Sequence, residues 1–200
     1  SDLTSFPKSV DFSKKKRNFY MPQFCTHHSS CSGPVEWVRR HSETIRQYGS
    51  VLDLACGRGR HTRFLLEQGY KVTAIDRDVS QLSIAQETDN LKIIEHDLEG
   101  SARWPFVAKA LDGIVAVNYL SRPLFPKIID GLAHNGILIY QTFAIGNAKF
   151  GRPRNPDFLL RENELLDAFA QRLTVVEFHQ GYIEKPSPAI VQRICCINQN

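Results

Sequence analysis

The stretch VLDLACGRGRHTRFLLEQGYKVTAID, residues 51–76, decides the fold. Val51 to Cys56 reads as a buried strand, Gly57 and Gly59 as a turn, the next residues as a helix that Gly69 closes, and Val72 to Asp76 as a second strand ending on an acid. Two glycines directly after a strand let the backbone turn tightly and approach a ligand, while the following helix offers its free N–H groups there. Asp76, 17 residues past Gly59, stands where a carboxylate accepts both hydroxyls of a ribose. This is half of a nucleotide-binding crevice.

An NAD enzyme shares these features, and so does a crossover of this type that binds nothing. Two residues argue against the NAD reading. Thr62 occupies the place of the third glycine of the dinucleotide fingerprint, and Asp53 puts a charge in the first strand, four residues before Gly57. A buried strand tolerates that charge only against a cation or a hydrogen-bond donor. The ammonium of a bound amino acid would serve.

An acid, a Gly-x-Gly turn and an acid ending the second strand resemble motif I of the class I S-adenosylmethionine-dependent methyltransferases. Ala55 departs from it, standing where many members carry a first glycine. The resemblance implies S-adenosylmethionine as cofactor, S-adenosylhomocysteine as product, and cofactor contacts from Asp53, Ala55, Gly57, Gly59, Asp76 and Arg77. It also implies that Asp97, after the third strand (Leu91 to Glu95), meets the adenine amino group and the Leu98 N–H a ring nitrogen; Asp97 as a plain turn acid is the alternative.

The runs NYLSRPLFP (118–126) and QTFAIGNAKFGRPRNPDFLL (141–160) resemble a bacterial branch of this family, close to its tellurite-resistance-like members, a name that says little about the acceptor. The implied fold is α/β, a Rossmann-like seven-stranded, mostly parallel sheet of order 3-2-1-4-5-7-6, its last strand antiparallel, with helices on both faces.

Around that centre, 200 residues with 42% hydrophobic content suit one domain with a proper core over residues 34–200. Residues 1–33, with Phe6, Phe12, Phe19, Tyr20 and Phe24 among polar residues, read as an arm that folds as a lid over the crevice or substrate entrance. A net charge of +4, partly in Lys14, Lys15, Lys16 and Arg17, falls short of a dedicated nucleic-acid module. No apolar run spans a membrane and no signal-peptide core precedes the domain, so a cytoplasmic protein is expected. Cys25, His27, His28 and Cys31 group four ligand types without the second cluster that zinc sites use, so no metal is expected.

Helices are expected over Pro34 to Tyr48, Asp78 to Glu87 and Pro123 to Leu132, and through Leu165 and Phe169. Leu111 to Val117 is a central strand. Asn118 and Tyr119 stand at its carboxyl end, where ligands bind in open α/β sheets; the resemblance implies that groups here face the transferring methyl, which makes both catalytic candidates able to orient an acceptor and Asn118 a cofactor contact as well. Tyr119 is also a substrate-binding candidate, with Phe143 at the end of the fifth strand (Ile137 to Phe143). The glycine- and proline-rich loop from Ala144 to Leu166 adds Arg152 and Arg154, suited to an anionic group. His61, His96, His179 and Tyr119 are bases by type alone, and none is assigned.

The final strands, Leu173 to Phe178 and Ile190 to Ile197, lack an intervening helix and form an antiparallel hairpin. A small-molecule acceptor is favoured. A tRNA or protein methyltransferase and a non-catalytic partner subunit remain the alternatives.

Overall fold

The computed structural model describes residues 33–82, 84, 89–99 and 103–200. Gly33 apart, the expected arm lies outside the described residues, with Cys25, His27, His28 and Cys31. Seven strands form one sheet: β1 Ser50–Leu54, β2 Lys71–Asp76, β3 Leu91–Glu95, β4 Leu111–Val117, β5 Leu132–Phe143, β6 Thr174–Ile183 and β7 Ala189–Ile197. Their order is β3-β2-β1-β4-β5-β7-β6. The first five run parallel, and β7 is antiparallel to both β5 and β6.

Neighbouring residues of the central strands feed opposite layers, as the two-residue period of a strand requires. Leu52, Ile114 and Leu138 join one core with α3 (Phe125–Gly131) and α4 (Glu164–Phe169). Val51, Val115 and Ile139 join the other, with Trp37 and Val38 of α1 (Glu36–Ser42) and Leu65 of α2 (Arg60–Glu67). Cys196 and Cys195 divide between the same two layers. Because β4 is covered on both faces, Gly113 to Val117 are all buried, which explains its nearly unbroken apolar run. No helix of the described residues is long and apolar enough to cross a membrane.

Three helices differ from expectation. First, α1 stops at Ser42 because local side chains take its last carbonyls: Ser42 Oγ donates to Arg39 O (3.1 Å) and Thr44 Oγ1 to His41 O (2.7 Å). The helix expected from Asp78 is absent over residues 78–82. There Asp78 accepts from Ser80 N (2.9 Å) and Leu82 N donates to Val79 O (3.0 Å), a turn stabilised by a side chain. Ser83 and residues 85–87 lie outside the described residues.

The third helix, α3, ends one residue early because β5 begins at Leu132. Asn198, at the end of β7, holds this irregular entry: Asn135 N donates to Asn198 O (2.6 Å), Asn198 N to Gly136 O (2.9 Å) and Asn198 Nδ2 to Leu132 O (2.9 Å). Asn135 adopts φ 61° there, a region Asn tolerates. Likewise β6 runs on to Ile183, since β7 supplies a partner as far as Ala189.

Candidate functional site

Between β1 and α2 the chain alternates left-handed residues: Ala55 at φ 56°, Gly57 at 53° and Gly59 at 76°. The two glycines serve different ends. A Cβ on Gly57 would have nothing within 4 Å, so the turn faces open space; a Cβ on Gly59 would lie 2.5 Å from Leu82 Cδ1, so that glycine admits a packing side chain. Gly57 N donates to Asp76 Oδ2 (2.8 Å), tying the turn to the end of β2. Asp76 Oδ1 accepts from Asp78 N (3.2 Å).

Asp53 lies beneath the turn, 1% exposed. Thr62, wholly buried in the first turn of α2, donates its Oγ1 proton to Asp53 Oδ2 (2.5 Å). Burial pushes the Asp53 carboxyl up to about 6, against the pull of the Thr62 hydrogen bonds. The threonine that argues against a dinucleotide fingerprint is thus also the partner that the buried acid requires.

The carboxyl ends of the parallel strands surround a cavity of about 480 Å³. That volume falls within the roughly 300–1,000 Å³ typical of ligand pockets. Ala55 contributes from the glycine turn, Asp76 and Arg77 from the end of β2, and Asp97, Leu98 and Glu99 from the segment after β3. Asn118, Tyr119 and Leu120 follow β4, Thr142 and Phe143 end β5, and Pro153 and Phe158 reach in from the long loop. Asp97 Oδ1 accepts from Glu99 N (3.0 Å), a turn that sets the direction of both acids.

Asn118 takes φ 58° while its N–H donates to Gln141 O (2.9 Å). That left-handed conformation is one Asn tolerates, and it ends the strand at the cavity. Tyr140 Oη donates to Tyr119 O (2.9 Å), fixing the next residue. Among the described residues the Tyr119 hydroxyl is buried without a hydrogen-bond partner of good geometry; Ser121 and Glu99 are the polar side chains that act on it. Burial pushes this phenol up to about 12.

Eight of the expected residues therefore meet on one cavity: Ala55, Asp76, Arg77, Asp97, Leu98, Asn118, Tyr119 and Phe143. Gly57 joins them through Asp76, while Asp53 and Gly59 sit behind the turn. Arg152 and Arg154 are exposed and do not line it, although Pro153 between them does. His61 is structural: its Nε2 accepts from Val35 N (3.4 Å), and burial lowers its pKa to about 3. Neither His96 nor His179 lines the cavity.

Sequence reasoning missed Glu99, Leu120, Thr142, Pro153 and Phe158. Only the position of Glu99, two residues past Asp97, offered a local signal. A second pocket of about 350 Å³ shares Leu98, Glu99, Leu120 and Phe158 and adds Ser121, Arg122, Lys127 and Asp157.

Long-range bonds order the loop after β5. Arg122 donates from Nε and Nη2 to the Glu164 carboxylate (2.6 and 3.0 Å), from Nη1 to Asp157 O (2.8 Å) and from Nη2 to Leu159 O (3.0 Å). Asn147 donates to Pro153 O (3.3 Å) and accepts from Ile190 N (3.2 Å). Gln192 accepts from Leu165 N (3.0 Å) and donates to Arg161 O. These bonds hold Pro153 and Phe158 against the cavity.

Comparison with known proteins agrees with this geometry. Residues 51–135 match the family described as a methyltransferase domain. The malonyl-[acyl-carrier protein] O-methyltransferase of Salmonella typhimurium is 38% identical over an alignment of 64 residues that covers 28% of this chain and 26% of that protein. The chain thus spans about a fifth to a quarter of the length of the curated relatives it matches.

TehB from Haemophilus influenzae superimposes with a TM-score of 0.62 at 20% identity, over 82% of this chain and 61% of that one. The 1,6-didemethyltoxoflavin-N1-methyltransferase of Burkholderia thailandensis, solved with 1,6-didemethyltoxoflavin and S-adenosylhomocysteine bound, gives 0.56 at 19% identity, over 82% and 76%. At such identities the likeness is one of fold, and the narrower tellurite-type branch gains nothing further from it. A methyltransferase domain is thus matched over residues 51–135, and the sheet is completed in the order β3-β2-β1-β4-β5-β7-β6 with the fold of solved S-adenosylmethionine-dependent methyltransferases.

Proposed function

We propose that this chain transfers a methyl group from S-adenosylmethionine to a small-molecule acceptor by direct displacement, releasing S-adenosylhomocysteine. The observation that carries the reading is the convergence of the open glycine turn, Asp76, Asp97 and Asn118 on one cavity at the carboxyl ends of the strands. These residues fit the cofactor. Gly57 leaves room where a Cβ would stand, and Asp76 offers its carboxylate to the ribose hydroxyls. Asp97 accepts from the adenine amino group, the Leu98 N–H meets a ring nitrogen, and Arg77 lies along the base. Asp53 acts from beneath, through Thr62, on the turn that Ala55 and Gly57 present to the amino-acid end.

When bound, the cofactor supplies an activated methyl group on a sulfonium. The chain's own tasks are then alignment, exclusion of water and the handling of one proton. Asn118 and Tyr119 orient the acceptor, and Phe143, Pro153 and Phe158 keep water from it. A small acceptor suits the cavity volume and the Burkholderia structure of like fold, which holds a small ligand beside S-adenosylhomocysteine. Arg152 and Arg154, exposed beside the cavity, support a second reading in which a tRNA or protein is methylated. Its mark would be binding that weakens steeply with salt.

Calorimetry tests the first reading. S-adenosylmethionine and S-adenosylhomocysteine should bind the wild type and NAD should not. Asp76→Ala should weaken adenosyl binding by roughly 1.5–3 kcal/mol for each charge-assisted hydrogen bond lost. No adenosyl binding by the folded wild type would sink it.

A further inference from the structure

The acceptor must approach from the side of the cavity that Asp76, Asp97 and the glycine turn leave to it, and the side chains there are chemically specific. Where the cavity borders the second pocket, four residues belong to both: Leu98, Leu120, Phe158 and Glu99. Three are apolar and one is an acid. The Asp97 turn directs residue 99, whose N–H donates to Asp97 Oδ1 (3.0 Å).

The charged residues that share a pocket with Glu99 are Asp76, Arg77 and Asp97 in the cavity and Arg122, Lys127 and Asp157 in the second pocket. Arg122 is committed to Glu164 and to two loop carbonyls, so its charge is met where it stands. Among the described residues the charged lining of the cavity is Asp76, Asp97 and Glu99 with Arg77, a field that attracts a cation and repels a thiolate or carboxylate, while Lys127 lines the second pocket. Beside Glu99 the buried Tyr119 hydroxyl lacks a well-aligned partner among the described residues. A buried polar group left in that state is costly, and a ligand that completes its hydrogen bonding relieves the cost.

We propose, resting on the methyltransferase reading, that the acceptor is an amine, bound as its ammonium ion by Glu99 and the Tyr119 hydroxyl, and that Glu99 takes its proton. The ammonium gives one proton to the Glu99 carboxylate, and the freed nitrogen lone pair forms the new N–C bond. The C–S bond breaks as that bond forms, and its electron pair stays on sulfur. The products are the N-methylated ammonium ion and S-adenosylhomocysteine, and Glu99 returns its proton to water. Tyr119 is a hydrogen-bonding partner rather than the base, because burial keeps its phenol protonated.

The test compares wild type with Glu99→Gln in two assays. Binding of benzylamine, histamine and n-butylamine to the S-adenosylhomocysteine complex is measured by calorimetry. Methyl transfer to these amines, and to thiols, alcohols and carboxylates of similar size, is followed by mass spectrometry. At pH 7 the substitution should weaken amine binding about tenfold and lower kcat/KM for amines by about 100-fold or more, as loss of a general base does. The deficit should shrink as pH rises toward the amine's own pKa, since the amine then arrives already deprotonated. S-adenosylhomocysteine should bind both proteins alike. Methylation confined to thiols, alcohols or carboxylates, no methylation of any amine, or unchanged amine turnover in Glu99→Gln overturns the proposal. Failure of S-adenosylhomocysteine to bind the wild type brings down the underlying methyltransferase reading instead.

Discussion

From Val51 to Glu99 the site is held by bonds between near neighbours, whereas from Ser121 onward side chains reach across the chain to hold backbone. Gly57 meets Asp76 over 19 residues, Asp53 meets Thr62 over 9, and Asp97 meets Glu99 over 2. In the second region Arg122 meets Glu164 over 42 residues, Asn147 meets Ile190 over 43, and Gln192 meets Leu165 over 27. Short-range bonds come from local residue patterns and suit a cradle for one invariant ligand. Long-range bonds hold an irregular loop that brings Pro153 and Phe158 to the cavity.

Arg122→Ala should break the second region while sparing the first. Glu164, its side chain 7% exposed, would lose its main partner. Loss of one member of a buried pair costs about 3–5 kcal/mol; with Arg122 itself 37% exposed, about 2–3 kcal/mol is expected. The denaturant midpoint measures it, and hydrogen exchange should quicken over residues 144–166 and not over 51–76. A loop that stays protected would mean that the anchor lies elsewhere. Burial raises the Glu164 pKa, but hydrogen bonds from Arg122 and Arg161 outweigh it and hold the group below its ordinary value. Its stabilisation is therefore present above the ordinary glutamate value and lost as pH falls through the lowered native one. Arg122→Ala should flatten that acid-side slope.

Asp53→Asn sharpens the contrast from the other side. The native carboxyl titrates at about 6 because it is buried, so the folded state holds the proton more tightly than the unfolded chain. Stability from this group is full below the ordinary carboxylate value and is lost as pH rises through about 6. Asparagine carries no charge to bury, so the variant should gain about 1–2 kcal/mol at about pH 8 and lose the slope between. Thermal unfolding across pH measures both, and an unchanged slope would assign the titration to another group.

The smallest effect belongs to Ala55→Gly. A left-handed alanine costs about 1–2 kcal/mol, and glycine returns about 0.5–1 kcal/mol of that as backbone entropy. A net gain of about 0.5–1 kcal/mol is expected from the melting midpoint. Destabilisation would show that the Ala55 methyl packs usefully against the cavity.

Most of the fold was readable from local pattern. The strands β1 to β4 fall within a residue or two of expectation, and Asp76, Asp97 and Asn118 line the cavity from the strand ends where they were expected. The failures are physical. Over residues 78–82 the helix expected from Asp78 gives way to a turn because the Asp78 side chain accepts from the Ser80 N–H, a competition that spacing of apolar residues does not reveal. The loop arginines, chosen for their chemistry, stay outside while Pro153 between them turns in.

The sequence by itself determined the central crossover, the order of acids and glycines that makes the cradle, and the closing hairpin, because each depends on residue spacing within one or two elements. Only the tertiary structure decided that Asp53 is met by Thr62, that Arg122 holds the loop through Glu164, Asp157 and Leu159, and that Glu99 joins Leu120 and Phe158 beside Tyr119. Those meetings need partners from distant elements brought to within a hydrogen bond or a van der Waals contact. No periodicity records them.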